Sequence, residues 1–260
     1  TRLNREFGYP IEGDDIGECW GISAHPSGDG TVASGAYKGM KLSELWEKHP
    51  GLFGDTGMDR FPLLVKIIDA KDDLSIQVHP DDAYAKVHEN GSLGKTECWF
   101  ILDCKENATL VVGHNAKTKE ELEQMIHEGR WKEFIREIPI KPGDFIQIDP
   151  GTVHAIKGGT LLLETQQSSD ITYRVYDYDR LSNGKPRQLH IVQSIDVITV
   201  PAKSADNSVV HTEKKDDAIQ QLIQCPYYTV YRIDVEHRVE TWQDKPFVLM
   251  SVVEGEGTLN

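Results

Sequence analysis

Long apolar runs are missing from this 260-residue sequence. No segment approaches the roughly 20 residues a helix needs to cross a bilayer, so no membrane partner is expected. Basic residues are the minority, 28 Lys and Arg against 42 Asp and Glu, for a formal net charge of −14. That balance argues against a nucleic-acid partner, which wants a basic face, but a few lysines and arginines still make a local positive pocket for a small anion. Cysteine is scarce: Cys19, Cys98, Cys104 and Cys225 show no CxxC pair and no dense framework. They are expected to be reduced, small core residues of a cytoplasmic protein. A signal-peptide pattern is also absent from the charged opening "TRLNREFGYP". A chain that opens on Thr1 is expected to have lost its true N-terminus.

What is present is β texture punctuated by Gly and Pro. Residues 1–60 are polar and Gly-rich with little regular pattern, apart from a short helix in "SELWEKHPG" capped by Ser43. "FPLLVKIIDA" and "LSIQVH", joined by "KDD", read as a hairpin. "TECWFILDC" and "ATLVVG" read as two more strands. The texture breaks once, in "KTKEELEQMIHEGRWKEFIRE", where Leu122, Met125, Ile126, Trp131, Phe134 and Ile135 recur at helical spacing. Thr118 and Glu121 form a capping box, and Gly129 divides two helices. Strands resume in "EIPIKPGDFIQIDPGTVHAI" and "TLLLETQQSS" and run on through "DITYRVYDYDR". A helix is expected in "LHIVQSIDVI" and a polar linker in "SADNSVVHTEKKDDA". Strands return in "YYTVYRIDV" and "FVLMSVVEGEGTLN", where the last sheet is expected to lack strands. Many short strands with Gly/Pro turns favour an antiparallel sandwich or barrel over βα units.

Three places put a metal-capable side chain beside a turn at a strand end. In "SIQVHPDD", Gln77 and His79 leave one strand face while Ile76 and Val78 leave the other. In "GKTECW", Glu97 opens a strand behind the Gly94–Lys95 turn, and in "PGTVHAI" His154 follows a Pro150–Gly151 turn. Two imidazoles and a carboxylate suit Zn²⁺ or another divalent first-row ion. Each signal alone is weak, because a lone His on a strand is more often structural. His25, His49, His88, His114, His127, His190, His211 and His237 are read that way.

"QVHPDD", "GKTECW", "PGTVHA" and "SSDITYRVYDYDR", in this order, resemble the type I mannose-6-phosphate isomerases in their short bacterial form. The resemblance runs from "GECWGISAHP" through "YRVYDYDR" into the second β region. It implies a cupin fold: a double-stranded β-helix (jelly-roll) barrel with a helical insertion at about 117–137, then a second, smaller cupin barrel that is incomplete here. Residues 1–200 are expected to form the metal-binding catalytic domain. Residues 201–260 are expected to supply a linker and the start of the second domain.

The resemblance also implies one Zn²⁺ per chain on His79, Glu97 and His154, with Gln77 as a further ligand. The implied reaction interconverts mannose 6-phosphate and fructose 6-phosphate through a cis-enediol. Arg174 matches the family's catalytic arginine; its structural alternative is an ion pair with Asp170 or Asp177. Lys95 and Asp170 match positions for proton handling or substrate orientation, and Ser75 is a loose candidate for the phosphate rim. Rival readings are a cupin dioxygenase, since two His and one carboxylate also serve non-haem iron, and a non-catalytic sugar-phosphate binder.

Overall fold

The computed structural model describes residues 1–260 except 14, 183, 208 and 212–217. Two antiparallel sheets lie face to face. Numbering strands in chain order, the first sheet holds β1 (Glu18–His25), β2 (Gly28–Asp29), β3 (Leu63–Ala70), β5 (Glu97–Cys104), β8 (Asp144–Ile148), β10 (Thr160–Gln167) and β14 (Val209–His211). Their order is β14-β8-β5-β10-β3-β1-β2. The second sheet holds β4 (Ile76–Val78), β6 (Thr109–His114), β7 (Ile135–Pro139), β9 (His154–Ala155) and β11 (Tyr173–Tyr176), in the order β11-β4-β9-β6-β7. Two hairpins stand apart, β12 (Leu181–Ser182) with β13 (Lys185–Pro186), and β15 (Ile219–Gln224) with β16 (Thr229–Ile233).

Period-2 alternation sorts the side chains. Ile68, Trp99, Ile101, Leu110, Val112, Ile146, Ile148 and Leu162, from both sheets, form the core between them. The outer face of the second sheet, with Val111, Ala155, Tyr173 and Val175, is covered by helices. These are α4 (Lys119–His127) and α5 (Trp131–Phe134), through Leu122, Met125, Ile126 and Phe134, and α6 (Ile191–Val197). On the far side, Cys98 and Phe145 pack under Leu222 and Tyr228 of the β15–β16 hairpin. The remaining helices are α1 (Arg2–Phe7), α2 (Leu42–Lys48) and α3 (Asp82–His88). No helix among the described residues is long and apolar enough to cross a membrane.

The insertion follows its sequence pattern closely. Thr118 Oγ1 accepts from Glu121 N at 3.2 Å, and Gly129 separates α4 from α5. The Glu121 carboxylate reaches back to Lys117 N (2.6 Å), one residue before the position a capping box uses.

Other expectations are corrected. β3 and β4 are not a hairpin: β3 pairs with β1 and β10, whereas β4 crosses to the other sheet and pairs with β9 and β11. A short "KDD" link serves a crossing between sheets as well as a tight turn. Ser43 is not the α2 cap; its N–H and hydroxyl both go to Asp29 (3.2 and 2.5 Å), so the first turn is tied to β2 by a distant carboxylate. The first 60 residues hold an eight-residue strand, β1, with Lys66 of β3 opposite Trp20. Within the supposed linker, Val209–His211 pairs with β8; residues 208 and 212–217 of that stretch lie outside the described ones. "FVLMSVVEGEGTLN" forms no strand, because no neighbour pairs with it among the described residues, although Phe247 and Leu249 pack against the Phe53–Phe61 cluster.

His114, at the end of β6, stacks on Phe134 and bonds through Nε2 to the Thr199 carbonyl (3.0 Å). Burial pushes its imidazole below the ordinary value, outweighing the support of that bond. A histidine whose pKa is lowered in the fold takes up its proton more readily in the unfolded chain. Its contribution is therefore complete above about pH 6.5 and is lost as pH falls below that. Urea midpoints should decline from pH 7.5 to 5, and His114→Gln, which keeps a side-chain N–H for Thr199, should flatten part of that decline. An unchanged slope in the variant would assign the acid loss to other groups.

Candidate metal centre

The residues that alternation turns inward converge at one end of the sandwich. In the second sheet, Arg174 stands opposite Gln77, and Gln77 opposite His154. His79 follows β4, two residues beyond Gln77 on the same face. Glu97 opens β5 in the facing sheet. The Nε2 atoms of His79 and His154 are 3.1 Å apart, and each lies 3.3 Å from a Glu97 oxygen. All three side chains are at most 1% exposed.

The donor set fits a divalent cation. His154 Nδ1 lies 2.8 Å from the Thr152 carbonyl. That contact fixes the proton on Nδ1 and leaves the Nε2 lone pair facing the cluster, the arrangement metal-ligating histidines use. Neither Glu97 oxygen accepts a hydrogen bond of good geometry, although both are buried. Burial, reinforced by Lys95, pushes His79 down to about 3, and burial also lowers His154. Burial by itself raises the Glu97 carboxyl, but Lys95, His79 and His154 overcome it and hold Glu97 well below the carboxylate range. Two neutral imidazoles and one ionised carboxylate within reach of one ion match the borderline N/O chemistry of Zn²⁺ and its neighbours.

The other expected residues are placed as follows. Lys95 is buried, with Nζ 3.0 Å from Glu97 and 3.2 Å from His79, so it is not an exposed turn lysine. Arg174 donates to the Gln188 carbonyl (3.0 Å), and its main chain is clamped on both sides by His190. Its alternative ion pairs do not form: Asp177 is taken by Arg180 and Arg187, both at 2.6 Å, and Asp170 by Ser27 (2.8 Å) and His25 (3.7 Å). Asp170 therefore sits on the rim and makes no contact with the cluster. Ser75 is buried one residue before β4.

Sequence reasoning missed a charged layer directly beneath. Glu164 on β10 stands between Trp99 and Lys66, one inward position deeper than Glu97 and Gln166. Lys66 Nζ is 3.2 Å from Glu164, Trp99 Nε1 donates to Glu164 (3.0 Å), and the Trp99 ring packs edge-on against His154. The available signal was a lysine in the middle of the apolar run "LLVKII" and a glutamate in "LLLETQQ".

A family model described as the phosphomannose isomerase type I catalytic domain matches residues 2–101, and one for the mannose-6-phosphate isomerase cupin domain matches residues 218–260. Mannose-6-phosphate isomerase ManA of Bacillus subtilis (strain 168) is 52% identical over 255 residues, covering 98% of this chain and 81% of that protein. This chain belongs to the type I phosphomannose isomerase family. The crystal structure of the Bacillus subtilis mannose 6-phosphate isomerase superposes with a TM-score of 0.87 at 50% identity, over 95% of this chain and 79% of that one. The cupin fold of the family is also seen in a zinc-bound mannose 6-phosphate isomerase (TM-score 0.65, 17% identity, 87% of this chain and 76% of that one).

Lys66 and Glu164 give a stability test within this family fold. Removing one partner of a buried pair strands the other charge, at a cost of about 3–5 kcal/mol. Glu164→Ala should lower the unfolding free energy in urea by that amount, and adding Lys66→Met should recover part of it. A single variant as stable as the parent would mean that Lys66 has access to water.

Proposed function

We propose that this chain interconverts mannose 6-phosphate and fructose 6-phosphate, with one Zn²⁺ held by His79, Glu97 and His154. The observation that carries this reading is the convergence of those three buried donor atoms, within 4.8 Å of one another, in a member of this family. The donor set by itself also accepts Mn²⁺, Co²⁺ or Fe²⁺; zinc is favoured by the family and by the imidazole-rich site. Gln77, inward and opposite His154, stands ready as a further ligand. Residues 1–200 are taken as the catalytic domain, with the second cupin domain beginning in 201–260. Four free thiols fit a cytoplasmic setting.

The reaction moves a proton from C2 to C1 of the open-chain sugar through a cis-enediolate, and its difficult feature is negative charge growing on the two oxygens. A bound divalent ion supplies a Lewis acid against that charge. Lys95 is the ammonium nearest the cluster and is the candidate for carrying the proton. Among the described residues the Arg174 guanidinium forms no ion pair with a carboxylate, so its charge remains available to the enediolate or the phosphate. Asp170 on the rim is suited to orienting a sugar hydroxyl, with Ser27 and His25 fixing its rotamer.

Conversion of mannose 6-phosphate should be abolished by a chelator and restored by zinc. His154→Ala should lose both metal and activity. Arg174→Ala should retain metal but lose roughly 10²–10³-fold in kcat, the scale for removing one electrostatic stabiliser. Stoichiometric metal without turnover would instead favour a binding protein or another cupin chemistry.

A further inference from the structure

Beside the metal cluster lies a hydrogen-bonded clamp that neither ligand chemistry nor core packing calls for. His79 leads into Pro80, Asp81 and Asp82; Gly94 leads into Lys95, Thr96 and Glu97. These two segments carry two of the ligands and the buried lysine. Asp82 Oδ1 accepts from Gly94 N (2.7 Å) and from Gln167 Nε2 (3.0 Å). Gln167 Oε1 in turn accepts from Thr96 N (2.9 Å), and Gln167 N donates to Thr96 O (3.0 Å). Lys95 N donates to Pro80 O (3.0 Å). The residues on both sides of Lys95 are thus bonded to side chains of the opposite segment or of β10.

The approach is close enough to require glycine. A Cβ on Gly94 would lie 2.4 Å from Asp81 C and 2.5 Å from Asp82 N, both main-chain atoms that have no room to yield. Tyr227, in the turn between β15 and β16, sits against the Asp82 carboxylate; burial, together with a bond to that carboxylate, raises the phenol to about 12. A helix-end role does not account for this arrangement. Asp81, not Asp82, caps α3, by accepting from Tyr84 N at 2.8 Å.

We propose that Asp82, acting through Gln167, is a positioning residue that sets Lys95 and Glu97 against His79. The proposal rests on the metal-isomerase reading above. Each ligand segment is short and irregular, and β5 begins only at Glu97, so ladder bonds do not place Lys95. Side-chain bonds from Asp82 and Gln167 to the main chain share that task with the Lys95–Pro80 and Gln167–Thr96 main-chain bonds. An error of about 1 Å at such a site is worth up to about a hundredfold in rate.

The test compares the full chain with Asp82→Ala, Asp82→Asn and Asp81→Ala, each loaded with zinc. Three quantities are read: kcat and KM for mannose 6-phosphate, the rate of zinc release to a chelator, and the thermal midpoint. Asp82→Ala should lose roughly 10–100-fold in kcat with KM little changed and release zinc faster by a similar factor, as removal of groups that orient metal ligands does. Asp81→Ala, which removes only the helix cap, should lower the midpoint while leaving kcat and zinc release at parental values. Asp82→Asn keeps an oxygen that accepts both N–H groups and should recover most of the loss. The proposal is overturned if Asp82→Ala affects kcat and zinc release no more than Asp81→Ala does, or if a folded Asp82→Asn is as impaired as the alanine variant. Should Asp82→Ala not fold, Gln167→Met removes the same bridge without touching a charge and takes its place. An inactive parent chain would defeat the isomerase reading, while zinc release would still decide the positioning role. An active parent with Asp82→Ala matching Asp81→Ala would defeat the positioning role alone.

Discussion

Everything around the candidate site depends on one constraint: an ionised carboxylate and two imidazole lone pairs face each other with all three side chains buried. Three such groups repel or go unsatisfied unless positive charge lies among them, because buried charge is costly unless it is paired or coordinates a metal. Lys95 supplies one such charge, and the donor geometry suits a divalent ion for another. Depressed imidazole values, the deeply depressed Glu97 and the fixed His154 tautomer all follow from this single arrangement.

The sheets are organised to sustain it. Inward positions along β5, β10 and β3 form successive layers, with Glu97, Gln166 and Leu64 uppermost, Trp99, Glu164 and Lys66 beneath, and Ile101, Leu162 and Ile68 below those. Charge thus extends two layers down, and the paired middle layer separates the ligand cluster from a wholly apolar floor. Helices α4, α5 and α6 cover the outer face of the second sheet and the β15–β16 hairpin that of the first, while the ligands themselves sit on strand ends and the segments next to them. Rigid strands with irregular connections at one end are the usual way a β scaffold presents chemistry.

Much of this was legible in the sequence. Alternation in "SIQVH" placed Gln77 and His79 on one face, and the Pro150–Gly151 turn marked the strand beginning at His154, whereas Glu97 opens β5 after an irregular stretch rather than a turn. The helical insertion was readable because a 3.6-residue period stands out against surrounding period-2 strands. The hairpin reading of "FPLLVKIIDA" and "LSIQVH" failed because a local turn signal carries no information about which sheet the next strand joins. β1 went unread because "ECWGISAH" exposes polar residues and a bulge interrupts its register between Trp20 and Ile22. The C-terminal apolar run read as strand from composition alone, yet a strand exists only through its partner.

Residue types, their facing along each strand and the family motifs were determined by the sequence, because they depend on neighbours a few positions apart. The tertiary structure decided which faces meet. It buried Lys95, paired Lys66 with Glu164, gave Asp177 to Arg180 and Arg187 rather than to Arg174, and kept Asp170 on the rim. Those outcomes rest on contacts between residues as much as 143 positions apart. No local pattern encodes such distances; strand order across the two sheets does.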